Sequence, residues 1–190
     1  DMSGVELRNQ RRKLQMIFQD PFSSLNPRAR VSRILTEGLI AYGTSKSDAQ
    51  ARAQELLEMV GLDASAMKRF PHEFSGGQRQ RIGIARALAL DPSIIIADEA
   101  VSALDVSIQA QVLDLLAELK TQLHLSMLFI THDLRVAARI CDRIIVMQKG
   151  RIVEAGPVGK VLHDPDTAYT RSLLDAIPGQ QYERALAATD

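Results

Sequence analysis

Four short stretches carry residue types suited to phosphate, a divalent cation and water. The first is EFSGGQRQRIGIARAL, residues 73–88. Ser75-Gly76-Gly77-Gln78 stands directly before positions Ile82, Ala85, Leu88 and Ala89, which recur at helical spacing, so the four residues open a helix. A helix start presents unpaired N–H groups and the positive end of the peptide dipole. Glycines let an anion approach that backbone closely. Phosphate binding fits this stretch, and so does a plain serine cap followed by a flexible glycine pair.

The second stretch is SIIIADEAVSALD, residues 93–105. A continuous apolar run reads as a central parallel strand, and it ends in Asp98-Glu99. Strand ends of parallel sheets face the ligand crevice, where acidic residues are costly unless a cation or a reaction uses them. Asp98 is suited to hold Mg²⁺, usually through water. Glu99, one step further out, is suited to orient or deprotonate an attacking water. An acidic turn with no chemistry would look similar. The third stretch, FITHD, puts His132 just past a second strand end, where it could meet a γ-phosphate or a water. A lone histidine is more often structural, and His72, His124 and His163 are read that way. In the fourth, IFQDP, Gln19 follows a third strand. Its side chain has a donor and an acceptor and can touch Mg²⁺ or water, although a polar strand exit needs no such role.

These residues need a scaffold. The 190 residues suffice for one domain with a good core. Residues 14–20 read as a buried strand and 21–30, with two prolines and Asn26, as a loop. In residues 45–62, Ala49, Ala53, Leu56, Leu57 and Val60 mark a helix with Ser47 as N-cap and Gly61 as stop. Ile108, Val112, Leu115, Leu116, Leu119 and Leu123 share one face of a long helix between two apolar strands. That strand–helix–strand unit is a parallel crossover, so an α/β fold with a parallel sheet is expected. RIIVMQKGRIVEAG reads as an antiparallel hairpin at the sheet edge, turning at Lys149-Gly150. A loop and a short helix follow. The first thirteen residues are not a signal peptide; they read as part of an interior loop or, equally, as an N-terminal tail.

Composition excludes some classes. Lys+Arg and Asp+Glu number 23 each, so net charge gives no pointer to nucleic acid. The single cysteine, Cys141, permits no internal disulfide and no cysteine metal site. No apolar run approaches the roughly 20 residues a membrane-spanning helix needs.

Taken in order, Gln19, Ser75-Gly76-Gly77-Gln78, Asp98-Glu99, Ser102-Ala103-Leu104-Asp105 and His132 resemble the Q-loop, signature motif, Walker B, D-loop and H-switch of ABC-transporter ATPase domains. The resemblance covers nearly the whole chain. MIFQDPFSSLNPR, ADEAVSALDVSIQAQVLDLL and HDPDTAYTRSLLDAIP look like the ATPases of oligopeptide, dipeptide and nickel importers. The resemblance implies a partial P-loop NTPase fold: a parallel sheet core with an inserted α-helical signature subdomain. Residues 1–30 would hold the Q-loop strand and a permease-facing loop, and 31–90 the helical subdomain. Residues 91–160 would form the Walker B and H-switch core with its edge hairpin, and 161–190 a family tail. It implies ATP and Mg²⁺ as cofactors, with Gln19, Asp98, Glu99 and His132 acting on ATP held by the same domain. A second ATPase domain would pair head to tail. Ser75, Gly76, Gly77 and Gln78 would then face the partner's γ-phosphate, and Asp105 would cross the dimer interface. Partners would be inner-membrane permease subunits and, indirectly, a solute-binding protein, but no nucleic acid. The place would be the cytoplasmic face of the inner membrane.

Two departures stand out. Position 100 is Ala where the family usually has Pro, which suggests a looser turn. No G-x-x-x-x-G-K-[ST] occurs; the lone Gly159-Lys160 pair is followed by Val161 and has Glu154 where the first glycine would stand. The chain reads as the C-terminal part of a nucleotide-binding domain. Alone it is expected neither to bind ATP tightly nor to hydrolyse it, and to leave apolar sheet surface uncovered. Two other readings remain open at this point: a non-transport ABC protein, and a non-catalytic dimerisation module.

Overall fold

The apolar runs around residues 14, 94 and 126 are strands, and all three run parallel. β1 (Leu14–Ile17), β2 (Ile94–Asp98) and β3 (Ser126–Ile130) pair in that order. The register aligns Ile17 with Ala97 and Ala97 with Phe129, and sets Asp98 opposite Ile130. All three strands therefore finish at one edge. The computed structural model describes residues 3–20 and 24–177, and the chain forms two units, Asp1–Thr131 and His132–Asp190.

In the first unit the alternation of the strands sorts the sheet into two unequal faces. Ile17, Ile95 and Ala97 are buried. On the other face Leu14, Ile94, Leu128 and Ile130 are 39–51% exposed. Apolar sheet surface is thus uncovered, as expected. Parallel strands are ordinarily covered on both sides.

Helices supply the rest of the core. α1 (Gly4–Lys13) precedes β1; it is capped by Ser3 and has no buried residue. This corrects the loop reading of the first residues. Basic residues at its end (Arg11, Arg12, Lys13) suit the negative end of a helix dipole. α2 (Val31–Ala41) and α3 (Lys46–Met59) pack together, and Leu35, Leu39, Ala49, Ala53, Leu56 and Leu57 are buried. The cap of α3 is Ser45, whose hydroxyl accepts from Asp48 N at 3.1 Å, rather than Ser47. Its end is a glycine stop. Gly61 sits at φ +71°, Leu62 N–H donates to Leu57 O at 2.8 Å and Gly61 N–H to Glu58 O at 2.9 Å.

α4 (Gly76–Leu88) packs on β1, and α5 (Val106–Gln122) packs on α4. Val112, Leu115, Leu116 and Leu119 are buried along α5, as the spacing predicts, whereas Leu123 lies at the helix end and is 36% exposed. No helix among the described residues is long and apolar enough to cross a membrane.

The second unit begins at His132. α6 (Leu134–Ile140) leads into β4 (Arg143–Gln148) and β5 (Arg151–Pro157), an antiparallel pair. The turn has Lys149 at φ 49° and Gly150 at φ +75°, the two left-handed residues of a tight hairpin. Among the described residues this pair is its own two-stranded sheet, not an edge of the parallel one. α7 (Val158–His163) and α8 (Ala168–Asp175) complete the unit around Ala137, Ile144, Val146 and Val161.

A buried carboxylate holds α8 to the hairpin. Glu154 on β5 accepts from Asp166 N at 2.8 Å, Thr167 N at 3.2 Å and Thr167 Oγ1 at 3.0 Å. Hydrogen bonding by the Thr170 hydroxyl, then by the Asp166 N–H, together with Thr167, holds its carboxyl down to about 2 from an ordinary 4.5. A carboxyl depressed by folding stabilises the native state above its unfolded value, and that contribution fades as pH falls toward the folded value. Glu154→Gln should therefore lower the thermal midpoint at neutral pH. The gap to wild type should close as pH drops from about 4.5 to about 2. Circular-dichroism melts of both chains across that window check this; a constant gap would contradict it.

Candidate functional site

The shared strand edge brings two of the singled-out residues into contact. Gln19, two residues past β1, donates from Nε2 to Glu99 Oε2 at 2.6 Å. Eighty positions of sequence separate them. Parallel register alone brings them together, because β1 and β2 end side by side. Asp98 is the last residue of β2, half-buried on the open face of the sheet together with Ile94 and Ile96.

Glu99 occupies an unusual backbone position, with φ 45°. A left-handed glutamate costs energy and persists where its surroundings fix it. Here its N–H donates to Ile130 O at 2.9 Å, and its carbonyl accepts from Ser102 N at 3.0 Å and Ser102 Oγ at 2.9 Å. Ala100 beneath it is 1% exposed. The turn around Ala100 is closed on both sides.

The donor set suits a hard cation. Asp98 offers carboxylate oxygens, and Gln19 offers an amide oxygen while its nitrogen is engaged with Glu99. Mg²⁺ keeps waters and takes one or two protein oxygens together with substrate phosphates, and these two residues offer oxygens of that kind.

The second cluster is the start of α4. Ser75 Oγ accepts from Gln78 N at 3.3 Å, and Gln78 Oε1 accepts from Ser75 N at 3.1 Å, a reciprocal capping box. The box leaves useful groups outward. A serine hydroxyl that accepts still has a proton to donate, and Gln78 keeps its amide N–H₂. Ser75 and Gln78 are exposed, while Gly77 is buried. The arginines of α4 serve the fold. Arg79 Nε donates to Phe74 O at 2.9 Å, Arg81 to Val60 O at 2.8 Å, and Arg86 to Ser24 O. Burial pushes the Arg86 guanidinium below its ordinary value.

Asp105 caps α5: its Oδ1 accepts from Ile108 N at 3.0 Å. The segment before it lies against α4. A Cβ built on Gly76 would stand 3.6 Å from Leu104 Cδ2, and one on Gly77 only 2.4 Å from Ile108 Cγ2. Sequence spacing put Ile108 on the apolar face of α5 but did not reveal its neighbour. The signal was a glycine inside a helix start, which is equally explained by an approaching anion.

His132 lies two residues beyond β3, opens the second unit, and is exposed. Next to it Asp133 caps α6, and hydrogen bonding from the Arg135 guanidinium, at 2.8 Å, holds its carboxyl below the usual range. Lys160 is no phosphate-loop lysine. Its ammonium pairs with Asp164 and, at 2.9 Å, with Asp166. Pro21, Phe22 and Ser23, in the loop read as permease-facing, lie outside the described residues, as does the end of the tail from Pro178.

The chain is similar to known proteins. Residues 1–102 match the family described as ABC transporter. The oligopeptide transport ATP-binding protein OppF of Bacillus subtilis is 55% identical over 177 residues, 91% of this chain and 58% of that protein. The chain spans just over half the length of the curated relatives it matches. Two solved structures superpose well. CbiO1 of Clostridium perfringens, part of the ABC transporter complex cbiONQ, covers 97% of the chain at TM-score 0.79 and 24% identity, a likeness of fold. The ATP-binding cassette MJ0796, a dimer in a post-hydrolysis state bound to ADP and phosphate, gives TM-score 0.70 and 32% identity, over 83% of this chain and 68% of that one.

The capping box itself is testable. Ser75→Ala should cost about 0.5–2 kcal/mol of stability, and Ser75→Asp much less, since aspartate caps equally well. Urea unfolding of the three chains measures both; an unchanged midpoint for the alanine variant would contradict the box.

Proposed function

Because the chain belongs to the ABC transporter family, we propose that it is part of the ATP-hydrolysing subunit of an importer. That subunit couples ATP binding and hydrolysis to the uptake of peptides or similar small solutes. The observation that carries the catalytic half is the Gln19–Glu99 hydrogen bond at 2.6 Å, which unites two strand ends at one edge. The likeness to an oligopeptide transport ATP-binding protein supports the substrate class.

In this reading Glu99 accepts a proton from the attacking water at its carboxylate. The Gln19 N–H fixes the orientation of that carboxylate, and the amide oxygen of Gln19 would be available to the cation. Asp98, at the end of β2, would hold Mg²⁺ through water. The cation, when bound, would supply neutralisation of charge on the phosphate oxygens. His132 hydrogen-bonds the γ-phosphate or the water. Ser75, Gly76, Gly77 and Gln78 address ATP held by a second ATPase domain, and Asp105 adds an interface contact beside its capping role. That arrangement is supported by the dimeric state of the MJ0796 cassette. Permease subunits at the cytoplasmic face of the inner membrane, served by a solute-binding protein, complete the assembly. The activity is proposed for a full-length parent subunit, since the chain spans just over half the length of the curated relatives it matches.

Glu99→Gln in that parent should lower ATP turnover on the order of a hundredfold or more and leave ATP binding intact. Phosphate-release kinetics and nucleotide titration measure the two separately. Turnover like wild type would remove Glu99 as the base.

A further inference from the structure

Gly77 is buried at the second position of α4, and the atom nearest its missing side chain belongs to Ile108. A Cβ on Gly77 would lie 2.4 Å from Ile108 Cγ2, closer than real Cβ contacts come, and 3.7 Å from Ile108 Cβ. Cγ2 is the branch methyl, attached directly to Cβ. A β-branched side chain in a helix is nearly confined to one χ1 rotamer, so this methyl cannot swing aside cheaply. The backbone of Ile108 is pinned as well, through its N–H to Asp105 Oδ1 at 3.0 Å. Leu104, one residue before the cap, meets Gly76 at 3.6 Å by the same construction.

We propose that Ile108 positions the signature turn. Its Cγ2 fills the place of a side chain at residue 77, so the turn at residues 75–78 and the segment at residues 102–108 form one packed body. Gly77 is then a glycine because of Ile108, whether or not an anion also approaches. The consequence for function rests on the ATPase reading above. A side chain at 77 moves the turn's N–H groups away from where the partner's phosphate is met, and a misplacement of about 1 Å can cost on the order of a hundredfold in rate.

A double-mutant cycle separates the two reasons for the glycine. In the parent protein, Gly77→Ala should lower kcat roughly tenfold or more while leaving the ATP affinity of the unpaired subunit unchanged. In the 190-residue chain the same change should lower Tm by several degrees, at about 2–4 °C for each kcal/mol in a chain of this size. Made in an Ile108→Ala background, where Cγ2 is gone, Gly77→Ala should add little to either loss. Made in an Ile108→Val background, where Cγ2 remains, it should cost as much as in wild type. An undiminished loss of kcat and Tm in the alanine background would overturn the proposal, and so would an unchanged Tm for Gly77→Ala alone. If the parent showed no ATPase activity but the Tm pattern held, the packing would stand and the ATPase reading would fall.

Discussion

The in-register pairing of three parallel strands is the constraint on which the rest depends. Parallel pairing makes β1, β2 and β3 stop at one edge, so residues eighty positions apart meet there without a dedicated loop to hold them. A slip of one residue in β2 would turn Asp98 to the opposite face of the sheet and move Glu99 away from Gln19. The apolar residues that fix the register are Ile17, Ile95 and Ala97, each buried to 1% exposure or less. Packing against the helices thus decides where the polar chemistry sits.

The same edge stores a small strain. Glu99 holds a left-handed backbone at φ 45°, closed by hydrogen bonds to Ile130 and Ser102. The carboxylate is aimed by backbone geometry first and by Gln19 second. At the other cluster two helix caps do related work. Ser75 and Gln78 close the start of α4, Asp105 closes the start of α5, and Gly77 and Ile108 join the two. Residues read as ligands of phosphate or of a dimer interface hold internal hydrogen bonds that orient their remaining donors.

Much of this was legible in the sequence for a physical reason. Strands β2 and β3 are continuous apolar runs, α3 and α5 have clear 3.6-residue periodicity, and Gly61 and Lys149-Gly150 are turn signals with one meaning each. Ser75 before Gly-Gly was readable as a cap, and Gln19 and Glu99 as strand-end residues. Other features depend on contacts that no local pattern announces. α1 buries nothing, so no periodicity marked it. Ser45 and Ser47 are both competent caps, and only the helix start chooses between them. The hairpin looked like an edge of the parallel sheet because its composition is that of any strand pair. The Glu154 clamp and the Gly77–Ile108 contact join segments twelve to thirty-one residues apart, where burial and register decide.

The central claim is that the end of β2, with Gln19 beside it, is where a nucleotide-bound cation is held. Manganese is a spectroscopic substitute for magnesium, and its binding to the parent protein with ATP can be titrated by electron paramagnetic resonance. The account predicts that Asp98→Asn weakens Mn²⁺ binding in the nucleotide complex by roughly 10–100-fold, the usual effect of losing a residue that acts on a metal through its outer shell. Equal Mn²⁺ affinity in wild type and Asp98→Asn would contradict it.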